Sequence, residues 1–215
     1  MAILIRPFEP RDRHAIRTLA CDTADRGRPI DHLFRDRELV ADLITRYYTD
    51  AEPQATWVAE DGGALIGYVT GCLDSRRYRR AMAWRIAPRA VLAAVGRGIL
   101  WAPQTWRFVW VGAQSLCLGG LWRSVPLGTY PAHLHVNLRQ AYRSQRVGRQ
   151  LVEAFLTQLQ QAGVRGIHVA VREDNVTACA FFTGLGFADF GRYPMVLLEA
   201  STSRRQDGII YVKAL

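Results

Sequence analysis

The sequence predicts an α/β domain interrupted by a helical insertion, and three observations carry that prediction. Leu134, His135, Val136, Asn137 and Leu138 alternate as a half-buried strand does. Leu151, Val152, Phe155, Leu156 and Leu159 recur at helical spacing, with the short basic stretch Tyr142–Arg149 between strand and helix. Ahead of this unit, residues 74–131 carry long helix-forming runs punctuated by Pro88, Pro103 and Pro126.

The elements follow in order. Ile3-Leu4-Ile5-Arg6-Pro7 reads as a first strand. Pro10-Arg11-Asp12 opens a helix with Ile16, Leu19 and Ala20 on one face, and Leu33, Leu39, Leu43, Ile44 and Tyr47 suggest a second. Thr56–Glu60 and Ala64–Cys72 read as strands joined by Asp61-Gly62-Gly63, a hairpin turn signal. The insertion is expected to hold two or three helices, around Arg76–Met82, Arg89–Leu100 and Trp106–Trp122. A strand at 132–138, a helix at 147–162 ended by Gly163, a strand at 166–172, a helix at 175–185 and closing strands at 187–198 and 209–215 complete the chain.

A chain of 215 residues can bury the core of one domain, and residues 1–215 are read as one. No stretch reads as a signal peptide or reaches the roughly 18 apolar residues of a membrane span. Cys21, Cys72, Cys117 and Cys179 are scattered without a CxxC pair, so a reduced, cytoplasmic setting without structural metal is expected. The net charge is +9, and it is unevenly placed: from Ser75 to Val152 there are thirteen arginines and no acid. That segment calls either for an anionic partner or for nothing more than a solvated basic face.

The loop at 142–149 is the most informative stretch. A helix start carries unpaired N–H groups and partial positive charge, so Arg143, Arg146 and Arg149 placed there make a site for an anion such as a diphosphate. The stretch resembles the acetyl-CoA loop of the GCN5-related N-acetyltransferases (the GNAT family), Arg/Gln-x-x-Gly-x-Gly/Ala. Arg143 takes the first position and Gly148 the last, while Arg146 stands where the family has its middle glycine. Asn175-Val-Thr-Ala178-Cys-Ala-Phe181-Phe182-Thr-Gly-Leu-Gly186-Phe187 resembles the family's second motif, at the distance of one helix plus one strand. Tyr130–Leu138 and the long insertion resemble, within that family, the acetyltransferase-like domain found beside eukaryotic O-GlcNAcase and its free-standing bacterial relatives.

The resemblance implies a mixed central sheet flanked by helices, with the insertion just before the cofactor-binding strand. It implies acetyl-CoA or another acyl-CoA as co-substrate and an amine acceptor of unknown identity. The pyrophosphate would lie on Arg143, Ser144, Gln145, Arg146, Val147, Gly148 and Arg149. The pantetheine arm would lie along Val136, Asn137 and Leu138, with Asn175 and Phe182 contributing from the second motif. Asn175 fits a helix cap equally well. Phe182 stands where the family often has a tyrosine that protonates the departing thiolate, which phenylalanine cannot do.

His135 is the candidate general base, with His133 and His168 behind it, and a histidine satisfied in a polar core is the competing reading for each. Asp74 could hold a cationic substrate or cap the next helix. Five of the six tryptophans fall in the insertion. A lid, an interface such as a homodimer, or a membrane-surface patch would each use them. The lid or core reading is the favoured expectation, because aromatic residues at helical spacing are usually packing. No nucleic-acid motif and no clear membrane partner is read.

Overall fold

The computed structural model describes residues 3–25, 27–117, 125–143, 145–198 and 203–215. Seven strands form one mixed sheet: β1 (Leu4–Pro7), β2 (Thr56–Asp61), β3 (Ala64–Cys72), β4 (Ala132–Leu138), β5 (Gly166–Arg172), β6 (Ala188–Leu198) and β7 (Ser203–Ala214). Their order is β1-β2-β3-β4-β5-β7-β6, antiparallel throughout except for the β4–β5 pair. Gly62 and Gly63 close the β2–β3 hairpin with φ of 56° and 84°, the two left-handed positions that a tight two-residue turn requires.

Among the described residues, seven α-helices flank the sheet: α1 (Arg13–Thr23), α2 (Arg37–Arg46), α3 (Ser75–Ala81), α4 (Ala87–Gly96), α5 (Pro103–Cys117), α6 (Val147–Gln161) and α7 (Val176–Gly184). The main core forms where the apolar stripe of α6 meets the sheet. Leu151, Val152, Phe155 and Leu159 pack with Val69, Leu134, Ile167 and Val169, all buried. Gly71 lets Phe155 approach, since a Cβ there would collide with its ring. On the opposite face, Ile16, Leu19 and Ala20 of α1 cover Val58 and Tyr68.

Strand β3 spans the expected residues, and so does β5, with Ile167, Val169 and Val171 buried on one face. The second helix begins later than the apolar spacing suggested. Leu33 lies in the preceding connection, because the Asp36 carboxylate accepts from the Leu39 amide and fixes the helix start at Arg37. Asp74 likewise caps α3, accepting from the Arg76 amide at 2.8 Å. The insertion holds three helices as expected, with α3 and α4 joined by a π-helical turn at Met82–Ile86.

The core half of the expected lid-or-core role of the insertion's tryptophans does not hold for the four that are described. Trp84, Trp101, Trp106 and Trp110 are all exposed, Trp101 to 91%. Trp122 lies outside the described residues. Small side chains explain the inversion on α4: its buried positions are Ala90 and Ala94, against Phe34 and Leu39, so its larger side chains point outward.

Candidate functional site

The site begins with a parting of strands. β4 and β5 pair only at Ala132↔Ile167 and His133↔His168. Beyond that, β4 continues paired with β3 alone, through Leu134↔Gly71 to Leu138↔Gly67. The β5-facing backbone edge of Val136, Asn137 and Leu138 is therefore left without a strand partner, a template on which an extended chain carrying amides can pair. Side chains do not crowd it. Val136 and Leu138 pack against the main core, and the Asn137 amide donates to the Tyr68 hydroxyl at 2.7 Å.

From β4 the chain turns through Arg139–Arg146 into α6. Arg146 has φ 63° and ψ 1°, the only left-handed non-glycine among the described residues. This is the conformation that the absent middle glycine would adopt freely. Holding it with a side chain costs on the order of 1 kcal/mol, so the loop shape is kept against the residue's own preference. Arg146 is also the N-cap of α6, yet no side chain caps the helix and no acid lies in its first turn. Among the described residues, the N–H groups of Val147, Gly148 and Arg149 at the start of α6 have no acceptor. A Cβ built on Gly148 would find the Phe181 ring at 3.6 Å, ordinary contact, so the glycine leaves space that packing does not demand.

The basic residues of the loop divide. Arg143 is exposed and lays its guanidinium over Gly27, where a Cβ would collide with it. Arg149 is turned away from the helix start, donating to the Gly184 carbonyl at 2.8 Å and to Glu153 at 3.2 Å. The Gln145 amide donates to the Ala141 carbonyl at 3.0 Å, and Val147 is buried in the core. Ser144 lies outside the described residues. Arg146, with the backbone of the first helical turn, is the group best placed for an anion.

The second motif is split in the same way. Asn175 caps α7, its side chain accepting from the Ala178 amide at 3.2 Å. Phe182 is buried, its ring centroid 5.1 Å from Phe181 and 5.3 Å from Phe187 in edge-to-face contacts. Its role in the described molecule is to join α7 to the core.

On the other side of β4 lies a cavity of about 490 Å³. The end of α1, residues 30–34 and α2 form its outer wall, through Ile30, Phe34 and Leu43. Tyr68, Tyr78, His135 and Asn137 line the inner side. Asp25 and Arg172 also line it, and they are paired with each other at 3.3 Å. The cavity is mostly apolar with a few convergent polar groups, the character expected of a small-molecule site.

His133 and His135 project from the same face of β4 but fare differently. His133 lies where β4 still pairs with β5, and it is buried. The Ser75 hydroxyl donates to the Pro131 carbonyl at 2.7 Å, so at 2.7 Å from His133 it accepts from Nδ1–H. The Tyr48 hydroxyl then donates to Nε2 at 2.7 Å. Both ring nitrogens are used by this hydrogen-bond network, and Cys72 packs beside Nδ1 at 3.0 Å. Burial, then repulsion from His135 and His168, pushes the His133 imidazole well below its ordinary range. His133 is the satisfied polar-core histidine.

His135 stands past the point of parting, and solvent reaches its ring through the cavity. Enclosure by the cavity walls, then repulsion from His168, holds its imidazole down to about 4. It is neutral at ordinary pH and able to accept a proton or a hydrogen bond. His168, depressed chiefly by burial, is tied through Nδ1 to the Tyr130 carbonyl at 3.0 Å. Tyr48, Tyr68 and Tyr78 were not singled out from sequence. Their only signal is aromatic content, since three separate elements bring them together.

Residues 119–187, the segment carrying β4, the loop, α6, β5 and α7, match the family model described as Acetyltransferase (GNAT) family. Among solved structures, SsHAT is similar over 100% of this chain and 98% of its own, at 24% identity and a TM-score of 0.71. yncA of Salmonella typhimurium, solved with its cofactor acetyl-CoA, is 15% identical over 100% of this chain and 95% of its own, with a TM-score of 0.60. A GCN5-related N-acetyltransferase from Kribbella flavida is 18% identical over 100% and 98% of the two chains, with a TM-score of 0.61. No helix among the described residues is long and apolar enough to cross a membrane. With its seven-stranded sheet parted between β4 and β5, the chain has the GNAT acetyltransferase fold.

Proposed function

We propose that the protein is an acyl-CoA-dependent N-acetyltransferase, residues 1–215 forming one domain, that moves acetyl from acetyl-CoA to a primary amine by direct attack in a ternary complex. The observation that carries this reading is the unpaired edge of β4 running into an uncapped helix start whose left-handed N-cap is kept in spite of its side chain. An amide-bearing arm fits the edge, and a diphosphate fits the N–H groups of Val147, Gly148 and Arg149 with Arg146 beside them. Acetyl-CoA supplies an activated thioester. The chain's own residues orient an acceptor from the cavity and keep bulk water from most of it. His135, neutral, accepts a hydrogen bond from the incoming amine and passes the proton to water, because an imidazole held near 4 is too weak a base to keep it, while the acetyl–sulfur bond breaks and the departing CoA thiolate takes its proton from water. Among the described residues lining the cavity there is no Ser or Cys, which favours direct attack over a covalent intermediate.

The closer resemblance to the O-GlcNAcase-associated domain belongs to this proposal as well. It rests on Tyr130–Leu138 and the insertion, and brings no activity with it. A cytoplasmic setting fits Cys21, Cys72 and Cys179, all free.

One observation favours a second reading, a CoA-binding module without catalysis: Phe182 offers no proton donor and is held in the core. Calorimetry with acetyl-CoA tests binding, and thiol release across small amines, aminoglycosides and peptides with free N-termini or lysines tests transfer. Binding with thiol release supports the enzyme. Binding with no release from any acceptor supports the module. No binding at millimolar acetyl-CoA removes both.

A further inference from the structure

The insertion turns apolar surface outward. Nine of the thirteen exposed large apolar side chains among the described residues lie between Trp84 and Trp110. Trp57, outside the insertion, instead packs against the main core and donates to Gln158 at 2.8 Å. On α5, Trp106 and Trp110 are one turn apart on one face. The Trp106 indole N–H donates to the Leu100 carbonyl at 3.1 Å, which fastens the start of α5 to the turn bearing Leu100 and Trp101. Helix α4, with Leu92 outward, leads into that same turn. These consecutive elements gather exposed apolar side chains in one stretch of the chain, and such gatherings mark interaction surfaces.

The exposed charge of the same stretch of chain has one sign. Arg76, Arg77, Arg79, Arg80, Arg85 and Arg89 are exposed, and none forms an ion pair among the described residues. No acid occurs from Ser75 to Val152 to offset them. A second copy of this face would bring like charges together. A nucleic acid would use the indoles for stacking but find no π-face on the valines and leucines set between them. An anionic lipid surface uses every part: acyl chains for the aliphatic side chains, the headgroup level for the indoles, phosphates for the guanidinium groups.

We propose that the α3–α5 face docks the protein on an anionic membrane surface. This is independent of acetyl transfer. The test is sedimentation of the full chain with extruded phosphatidylcholine vesicles, with and without about 30 mol% phosphatidylserine. The expected result is at least about tenfold stronger partition onto the anionic vesicles, weakened by salt, with a blue shift of tryptophan emission. The double variant Trp101→Ser, Trp110→Ser removes exposed rings, so it should melt like the parent while losing about tenfold in partition. Arg79→Gln with Arg80→Gln should weaken binding and flatten its salt dependence. The proposal is overturned by equal partition onto neutral and anionic vesicles, or by a tryptophan variant that binds vesicles as the parent does. It is also overturned if that variant loses affinity for single-stranded RNA, or loses self-association, while its vesicle binding is unchanged.

Discussion

Arginine does two different jobs in the two halves of this molecule. In the first sixty residues the arginines fasten elements together. Arg6 joins Asp12 and Glu60, Arg13 joins Asp50, Arg17 joins Glu38 and Asp42, and Arg37 joins Asp22 and Asp31. Between Ser75 and Val152 the chain supplies no acid, and Arg97 and Arg149 reach outside the segment to Asp36 and Glu153. Arg76, Arg77, Arg79, Arg80, Arg85, Arg89, Arg143 and Arg146 form no ion pair among the described residues and add positive potential. Two places gather it: the start of α6, concave and built from backbone, and the α3–α5 face, broad and apolar. A net charge alone cannot distinguish fastening from attraction; the pairing does.

The largest expected effect breaks the attractive side at α6. Gly148→Asp sets a carboxylate against the anion site, and acetyl-CoA affinity should fall by at least about 100-fold, since charge-assisted contacts become repulsions. Stability should hold or rise slightly, because the Cβ has room and an acid in a helix's first turn is favourable by about 0.3–1 kcal/mol. Calorimetry and thermal melting read the two effects separately. Unchanged affinity would mean that the diphosphate binds elsewhere.

The histidines extend the comparison, because no carboxylate is among the causes that set His133, His135 or His168. All three are depressed, and burial leads in each case. Depressed folded values mean that the unfolded chain binds more protons once pH falls below about 6.5, so stability is full above that point and declines on acidification toward 4. Urea midpoints at pH 7, 6 and 5 should fall in that order. His135→Ala should cost turnover up to about 100-fold, the low end for proton-transfer assistance, with little change in acetyl-CoA affinity. The parent's rate should show no break near 6.5 from His135; a break there would place its ring in bulk water.

The fastening side is sharpened by a matched pair. Arg17 is buried between α1 and α2, so Arg17→Met should destabilise by about 1–2 kcal/mol, between a surface pair and a fully buried one, because Asp42 keeps Arg46 and Glu38 is exposed. Arg80→Gln on the exposed face of α3 should change stability by less than about 0.5 kcal/mol. Denaturant midpoints of the two variants check the contrast. If both cost the same, the two classes of arginine are not distinct.

Spacing made much of the fold legible. The β2–β3 hairpin, β5 and the strand–loop–helix around Arg146 could be read from period and turn residues. Misreadings came where a partner decides the outcome. The tryptophans share helix faces as read, but spacing does not say whether a face is covered, and Ala90 and Ala94 took the inside of α4. His133 and His135 are equivalent in the alternation of β4, and only the end of its pairing with β5 separates a locked histidine from an open one. Asp36, inside the expected apolar run between Leu33 and Leu39, starts the second helix by its cap and leaves Leu33 outside it.

The smallest expected effect lies at Arg146, where shape and charge meet. Arg146→Gly relieves a left-handed side chain worth about 1 kcal/mol and pays back about 0.5–1 kcal/mol in unfolded-state entropy, so stability should stay within about 0.5 kcal/mol of the parent. The same change deletes a charge at the helix start while keeping the backbone that points N–H groups outward. If Arg146 is there for its charge, acetyl-CoA affinity should drop several-fold and its salt dependence should lessen. Arg146→Ala separates the two contributions, since it loses the charge and keeps most of the strain. Equal affinity in the glycine and alanine variants, both below the parent, would assign Arg146 to the attractive class. Parent-like affinity in the glycine variant would leave its conformation as its only contribution.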